Sequence, residues 1–289
     1  MRKVGIIGAG LMGTGIAQTV AQAGMDVVLA DIDLAIAEKA RDSIDRTLTK
    51  LVEKGKMDGT AADAIVARIQ PAADYQPMRD ADLIIEAATE REDVKRMIFG
   101  SIAEVLAPDA ILATNTSSIP ITRMAASSPD PTRFIGLHFF NPVPVMKLVE
   151  VIPGLATSEA TVAKMTAFSE KIGKVVVHAG DEPAFVVNRI LCPMLNEAIF
   201  VLGSGTGSVL DIDNGCKLGL NHPMGPLQLS DFVGLDTLLE IMKILQESTG
   251  EDKYRPAPLL RKYVEAGWTG KKSGRGFYDY SGEVPVPTR

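Results

Sequence analysis

His138 and Glu150 stand twelve residues apart in the segment HFFNPVPVMKLVEVIPG, which runs from His138 to Gly154. His138 lies at the end of the apolar run FIGLHFF, and Glu150 sits inside a second one, KLVEVI. The carboxyl ends of strands are where open α/β sheets place their ligands. Two-residue alternation puts Glu150 on the face of Leu148 and Ile152, where a carboxylate is costly without a partner. With three histidines in the chain, His138 suits that role. A carboxylate on one ring nitrogen fixes the tautomer and stabilises the imidazolium, leaving the other nitrogen as general base toward a hydroxyl. The same spacing suits a core histidine bonded to a backbone carbonyl, with Glu150 on an exposed edge. Spacing alone does not choose between them.

A second constellation opens the chain. Gly8-Ala9-Gly10-Leu11-Met12-Gly13 follows the strand-like KVGII and starts a helical stretch, and the next strand, DVVLA, ends in Asp31, 18 residues after Gly13. This is the full context of a dinucleotide fingerprint. Gly8 permits the tight turn, Gly10 the approach of backbone to pyrophosphate, and Gly13 close helix–strand packing. The helix N-terminus offers free N–H groups and partial positive charge to phosphates. Asp31 suits ribose hydroxyls and repels a 2′-phosphate, and Ile32 and Asp33 supply no arginine to neutralise one. That favours NAD over NADP, while spacing leaves FAD open.

Other polar positions have two readings each. Asn115, Thr116, Ser117 and Ser118 follow the strand AILAT on the cofactor side, and also suit a helix cap and turn. Asn188 interrupts an apolar helical run, where asparagine is intrinsically poor, or supplies one hydrogen bond between domains. Arg46, Lys50 and Lys54 recur every four residues opposite the apolar stripe Ile44, Leu48, Leu51 and Val52, as on an ordinary solvated face. His178, His222 and the cluster Lys271, Lys272 and Arg275 read as structural.

The elements that must position these residues follow from pattern. The first two-thirds alternates apolar strands (KVGII, DVVLA, DLIIEAA, AILAT, FIGLHFF, KLVEVI, KVVVHA) with helical stretches. That predicts a parallel sheet covered on both faces, an α/β Rossmann-type domain over 1–183. From Pro183, placed where a helix would begin, helical segments separated by Gly and Pro predict a second, all-helical domain over 184–289. Pro193 removes one helical donor, and the tail VPVPTR is expected to fray.

Composition narrows the function. A net charge of −6 and an aromatic content of 5% argue against nucleic acid and anionic lipid as partners. Cys192 and Cys216 form no framework, and no metal-ligand cluster is visible. The most apolar stretch, 186–202, is broken by Asn188, Arg189, Asn196 and Glu197, so no membrane span is expected. Strand pattern begins near residue 2, which leads to the expectation of a cytoplasmic enzyme.

The motifs GAGLMGTGIAQ, NTSSIPIT, GLHFFNPVPVMKLVEVI, PAFVVNRI, LGLNHPMGPLQLSDFVGLDT and GKKSGRGFYDY together resemble the short-chain L-3-hydroxyacyl-CoA dehydrogenase family, on the side of its bacterial 3-hydroxybutyryl-CoA members. The resemblance runs nearly end to end. It implies that His138 is the catalytic base with Glu150 as partner, and that Ser117 and Asn188 contact the substrate and the reacting oxygen. It implies that Asp31, Glu90, Lys95, Asn115, Ser117 and Asn141 join Gly8, Gly10, Leu11, Met12 and Gly13 around NAD. It also implies a short-chain acyl-CoA substrate, Lys50 and Lys54 beside the CoA site, and a homodimer through the C-terminal domain. The stretch VLGSGTGSVLDIDNGCKLG departs from the family's charged turn and Asp-x-Ala-Met, and its glycines should loosen that connection. Dehydrogenation of a free hydroxy or sugar acid, and a non-catalytic dinucleotide-binding role, are the competing hypotheses.

Overall fold

The computed structural model describes residues 1–288. One compact unit comprises Met1–Phe185, and a second begins at Val186. The first is built on eight strands: β1 Lys3–Ile7, β2 Asp26–Ala30, β3 Ile69–Ala72, β4 Leu83–Glu86, β5 Ile111–Thr114, β6 Phe134–Phe139, β7 Leu148–Pro153 and β8 Val175–His178. Their order is β3-β2-β1-β4-β5-β6-β7-β8. The chain order reverses between β1 and β4, the switch point at which a doubly wound sheet opens its ligand crevice.

Each strand expected from sequence forms, and β3 is added. Its sequence, IQPA, hides it, because Gln70 and Pro71 erase the apolar signal. Proline is tolerated there because β3 is an edge strand, with one side free of ladder bonds. All pairings within the sheet are parallel except β6 with β7. An antiparallel neighbour needs only a short connection, and 140–147 supplies it.

Six helices belong to this unit: α1 Leu11–Gln22, α2 Leu34–Glu53, α3 Gly59–Ala67, α4 Glu92–Ile102, α5 Ile121–Ala125 and α6 Glu159–Lys171. Strand alternation divides the core in two. Val4, Ile6, Leu29, Ile85, Ala113, Leu137 and Val151 pack in one cluster with Ile16, Ile44 and Met165 of α1, α2 and α6. Ile7, Val28, Ile84, Leu112, Phe134 and Ile152 pack in the other with Phe99 and Met124 of α4 and α5. The even-numbered residues of β4 to β7 therefore face α4 and α5. On that face the last side chains of β4, β5 and β6 are polar, Glu86, Thr114 and His138, and Glu150 of the reversed strand β7 lies level with His138.

The second unit holds α7 Val187–Gly203, α8 Val209–Gly219, α9 Pro226–Val233, α10 Leu235–Thr249 and α11 Pro258–Glu265. A two-stranded antiparallel ribbon, β9 Tyr278–Asp279 with β10 Val286–Pro287, adds to the helices. The tail thus pairs rather than frays as far as Thr288, whose hydroxyl bonds the carbonyls of Gly276 and Phe277. The start expected at Pro183 is also corrected. α7 begins at Val187, because Ala184 and Phe185 take φ of 63° and 53°, which turns the chain out of a helical path. α7 continues through Pro193. The glycine-rich connection is closed by a capping box, Ser208 with Asp211, at the start of α8. The Asp213 carboxylate accepts from Leu227 and Gln228 N–H of α9 and from the Tyr278 hydroxyl.

Packing at the first turn is tight. A Cβ on Gly13 would lie 1.7 Å from the Gly8 carbonyl oxygen, and Gly8 itself has φ of +99°. Gly13→Ala is expected to destabilise the protein by about 2–4 kcal/mol, since a backbone oxygen has little freedom to retreat. A lowered urea midpoint at unchanged m-value is the check; an unchanged midpoint would contradict the packing.

Candidate active site

Antiparallel register sets His138 directly opposite Glu150. His138 Nδ1 lies 2.6 Å from Glu150 Oε2, with the imidazole side chain 8% exposed and Glu150 fully buried. A carboxylate accepts only, so Nδ1 carries the proton and Nε2 presents its lone pair. Phe140 and Phe185 flank the imidazole, with ring centroids at 4.6 Å and 5.7 Å. Of the two arrangements open from sequence, the structure contains the paired one, and Glu150 lies on a covered strand rather than an exposed edge.

The loop after β6 is held in place. The Lys174 ammonium, itself 7% exposed, donates to the carbonyls of Val143 and Met146 at 2.5 Å and 2.7 Å. Burial holds its pKa below the ordinary lysine value. Asn115, just past β5, accepts the Phe139 N–H at 2.9 Å and so ties its loop to the residue after His138. Asn141 is exposed on the 140–147 loop.

The glycine loop fits a dinucleotide. Gly10 is exposed, a Cβ there would meet nothing within 4 Å, and no side chain caps α1. The first N–H groups of the helix are therefore unclaimed by a side chain, as a pyrophosphate requires. Leu11 is 71% exposed, Met12 half-buried and Gly13 buried. Asp31 takes Ala9 N–H on Oδ2 at 2.7 Å and Ile32 N–H on Oδ1 at 2.8 Å, which braces the loop. Each oxygen keeps a lone-pair site for a ribose hydroxyl.

Ser117 is held from within the protein. Its hydroxyl and its N–H both donate to Glu90 Oε1, at 2.7 Å and 2.6 Å, while Thr116 donates to Glu90 Oε2 at 2.8 Å. A hydroxyl has one proton, so Ser117 here offers acceptor sites rather than a donor. Lys95, expected beside the cofactor, is fully buried. Its ammonium donates to Glu86 Oε2 at 2.5 Å and to Thr114 Oγ1 at 3.3 Å.

Glu86 is the residue that sequence reasoning missed. It is the last residue of β4, inside the run DLIIEAA and nine residues before Lys95, and the cost of a carboxylate in such a run, already applied to Glu150, could have found it. Asn188 lies in the first turn of α7, in the second unit. Lys50 and Lys54 stand exposed at the C-terminal end of α2. Burial pushes the Cys192 thiol up to about 12, which makes it a poor nucleophile. Among the described residues no group of side chains could hold a metal ion, and no helix is long and apolar enough to cross a membrane.

The Glu86–Lys95 pair can be tested for stability alone. Lys95→Met leaves a buried carboxylate uncompensated and is expected to cost about 3–5 kcal/mol. The double variant Glu86→Gln/Lys95→Met should recover most of that in urea titrations. Additive losses would contradict the pairing.

Residues 3–182 match the 3-hydroxyacyl-CoA dehydrogenase NAD binding domain, and residues 185–280 match the 3-hydroxyacyl-CoA dehydrogenase C-terminal domain. Over 289 residues the chain is 53% identical to a 3-hydroxybutyryl-CoA dehydrogenase of Bradyrhizobium diazoefficiens, covering 100% of this chain and 99% of that one. It is similar to the crystal structure of (S)-3-hydroxybutyryl-CoA dehydrogenase from Ralstonia eutropha, with a TM-score of 0.95, 48% identity and coverage of 98% and 100%. A diketoreductase acting on dicarbonyl compounds is also similar, with a TM-score of 0.84, 29% identity and coverage of 97% and 99%.

Proposed function

The chain belongs to the 3-hydroxyacyl-CoA dehydrogenase family, and on that premise we propose that His138 and Glu150 are the acid–base pair with which it interconverts short-chain (S)-3-hydroxyacyl-CoA and 3-oxoacyl-CoA. It is an NAD-dependent oxidoreductase. The observation that carries the site assignment is the 2.6 Å contact between His138 Nδ1 and the buried Glu150 carboxylate.

NAD supplies the hydride acceptor for oxidation, or as NADH the donor for reduction. Gly8, Gly10, Leu11, Met12 and Gly13 hold its pyrophosphate, and Asp31 its ribose. In oxidation His138 Nε2 takes the proton of the 3-hydroxyl. Glu150, already on Nδ1, stabilises the imidazolium that results. In reduction the protonated Nε2 returns that proton to the oxygen. Phe140 and Phe185 keep water from the ring, which strengthens the pair's electrostatics.

Ser117 and Asn188 each contact the substrate, Glu90, Lys95, Asn115 and Asn141 support the cofactor side, and Lys50 and Lys54 meet the phosphates of CoA. The protein works in the cytoplasm as a homodimer through its second unit. Ile190, Leu218 and Leu220, exposed by 68%, 85% and 64%, support an apolar contact there.

The likeness to a diketoreductase supports a second reading, reduction of a dicarbonyl or free acid on the same fold. One assay separates them: NADH oxidation at 340 nm with acetoacetyl-CoA and with free 3-oxo acids. Rapid turnover of the thioester is expected. His138→Ala should lower kcat at least ~100-fold and Glu150→Gln about 10-fold or more, with NADH affinity kept. Tight NADH binding without thioester turnover would sink the assignment.

A further inference from the structure

The hydrogen bonds past the ends of β4 and β5 contain a competition that the acid–base pair does not explain. Lys95 is a fully buried cation between two carboxylates. On one side is Glu86, also fully buried, at 2.5 Å; on the other is Glu90 Oε2, at 3.9 Å, its side chain 45% exposed. Glu86 is fixed by three donors: the Lys95 ammonium, the Thr114 hydroxyl at 2.6 Å and the Ala88 N–H at 2.9 Å. Glu90 also takes three donors, the Thr116 hydroxyl and the Ser117 hydroxyl and N–H, but its side chain is 45% exposed and all three come from the one loop after β5.

A buried ammonium needs a counter-charge. While Glu86 supplies it, Glu90 can remain on Ser117. If Glu86 were neutral, the nearest carboxylate left to Lys95 would be Glu90, about 1 Å beyond charge-assisted hydrogen-bond range. Rotation of Glu90 toward Lys95 would free the Ser117 hydroxyl and its N–H together.

We propose that Glu86 is a positioning residue for the reaction: by satisfying Lys95 inside the sheet, it leaves Glu90 to orient Ser117. Glu86 touches neither substrate nor cofactor. It acts through Lys95 and Glu90, and alternation along β4 and β5 puts it in register with Thr114, the residue that shares its load. The inference rests on the reading that Ser117 serves the reaction. A hydroxyl held at one rotamer presents its lone pairs in a fixed direction, and loss of that preorganisation slows the reaction without removing a reacting group.

The test is a double-mutant cycle read in kcat/KM with acetoacetyl-CoA and NADH. Glu86→Gln is expected to lower kcat/KM about 10-fold, and Ser117→Ala by at least as much. The double variant should be no slower than Ser117→Ala alone, because Glu86 has nothing left to position. A merely structural Glu86 would give losses that multiply, and that outcome overturns the proposal. Thr114→Val, which removes one donor from Glu86 and keeps its charge, provides the same cycle if Glu86→Gln fails to fold. Its smaller loss should likewise vanish in the Ser117→Ala background. Full activity of both Glu86→Gln and Thr114→Val beside a slow Ser117→Ala would overturn the proposal alone. Wild-type activity of Ser117→Ala would overturn the reading of Ser117 and the proposal with it.

Discussion

Glu150 is a carboxylate with no exposed surface in a strand whose two faces are both covered, and its charge is tolerable only beside a partner that can share a proton. The antiparallel pairing of β7 with β6 supplies that partner by register, setting His138 across the ladder. Had β7 run parallel to β6, the two strand ends would not meet in this way. The single reversed pairing in the sheet thus creates the pair, and the short connection 140–147 makes the reversal possible. That connection is itself secured, by the Lys174 ammonium on two of its carbonyls and by Asn115 on Phe139 N–H.

The same rule operates along the rest of the crevice. β4, β5 and β6 end on the face covered by α4 and α5, and their last inward side chains there are Glu86, Thr114 and His138. Each needs a polar partner because helices seal that face. Lys95 of α4 reaches down to Glu86 and Thr114, while Glu90, before α4, reaches across to Ser117. A doubly wound sheet concentrates chemistry at its carboxyl edge because polar groups can end there without disrupting the core beneath. On the opposite side of the switch point, Asp31 braces the glycine loop through Ala9 N–H, so the cofactor turn and the end of β2 form one rigid corner.

Much of this was legible in the sequence. Seven apolar runs gave seven strands, and the glycine spacing with Asp31 located the nucleotide corner. The cost of a carboxylate inside an apolar run marked Glu150 as needing a partner and offered His138 for it, without excluding a core histidine and an exposed Glu150. The same cost applies to Glu86 inside the run DLIIEAA, where it escaped notice because no partner for it lies within the run. β3 escaped because an edge strand tolerates Pro71. The start of α7 was misplaced because Pro183 suits a first helical turn, whereas Ala184 and Phe185 adopt left-handed backbone that their side chains do not advertise.

The sequence by itself determined the periodicities, and with them the α/β class, the nucleotide corner and the identity of the residues able to carry protons. Those features are local: each depends on neighbours within one strand, turn or helix. Only the tertiary structure decided partnership. That Glu150 meets His138, that Lys95 turns inward to Glu86, and that the Ser117 hydroxyl is spent on Glu90 all depend on strand order and register. These are fixed by packing across the whole sheet, so spacing along the chain carries no record of them.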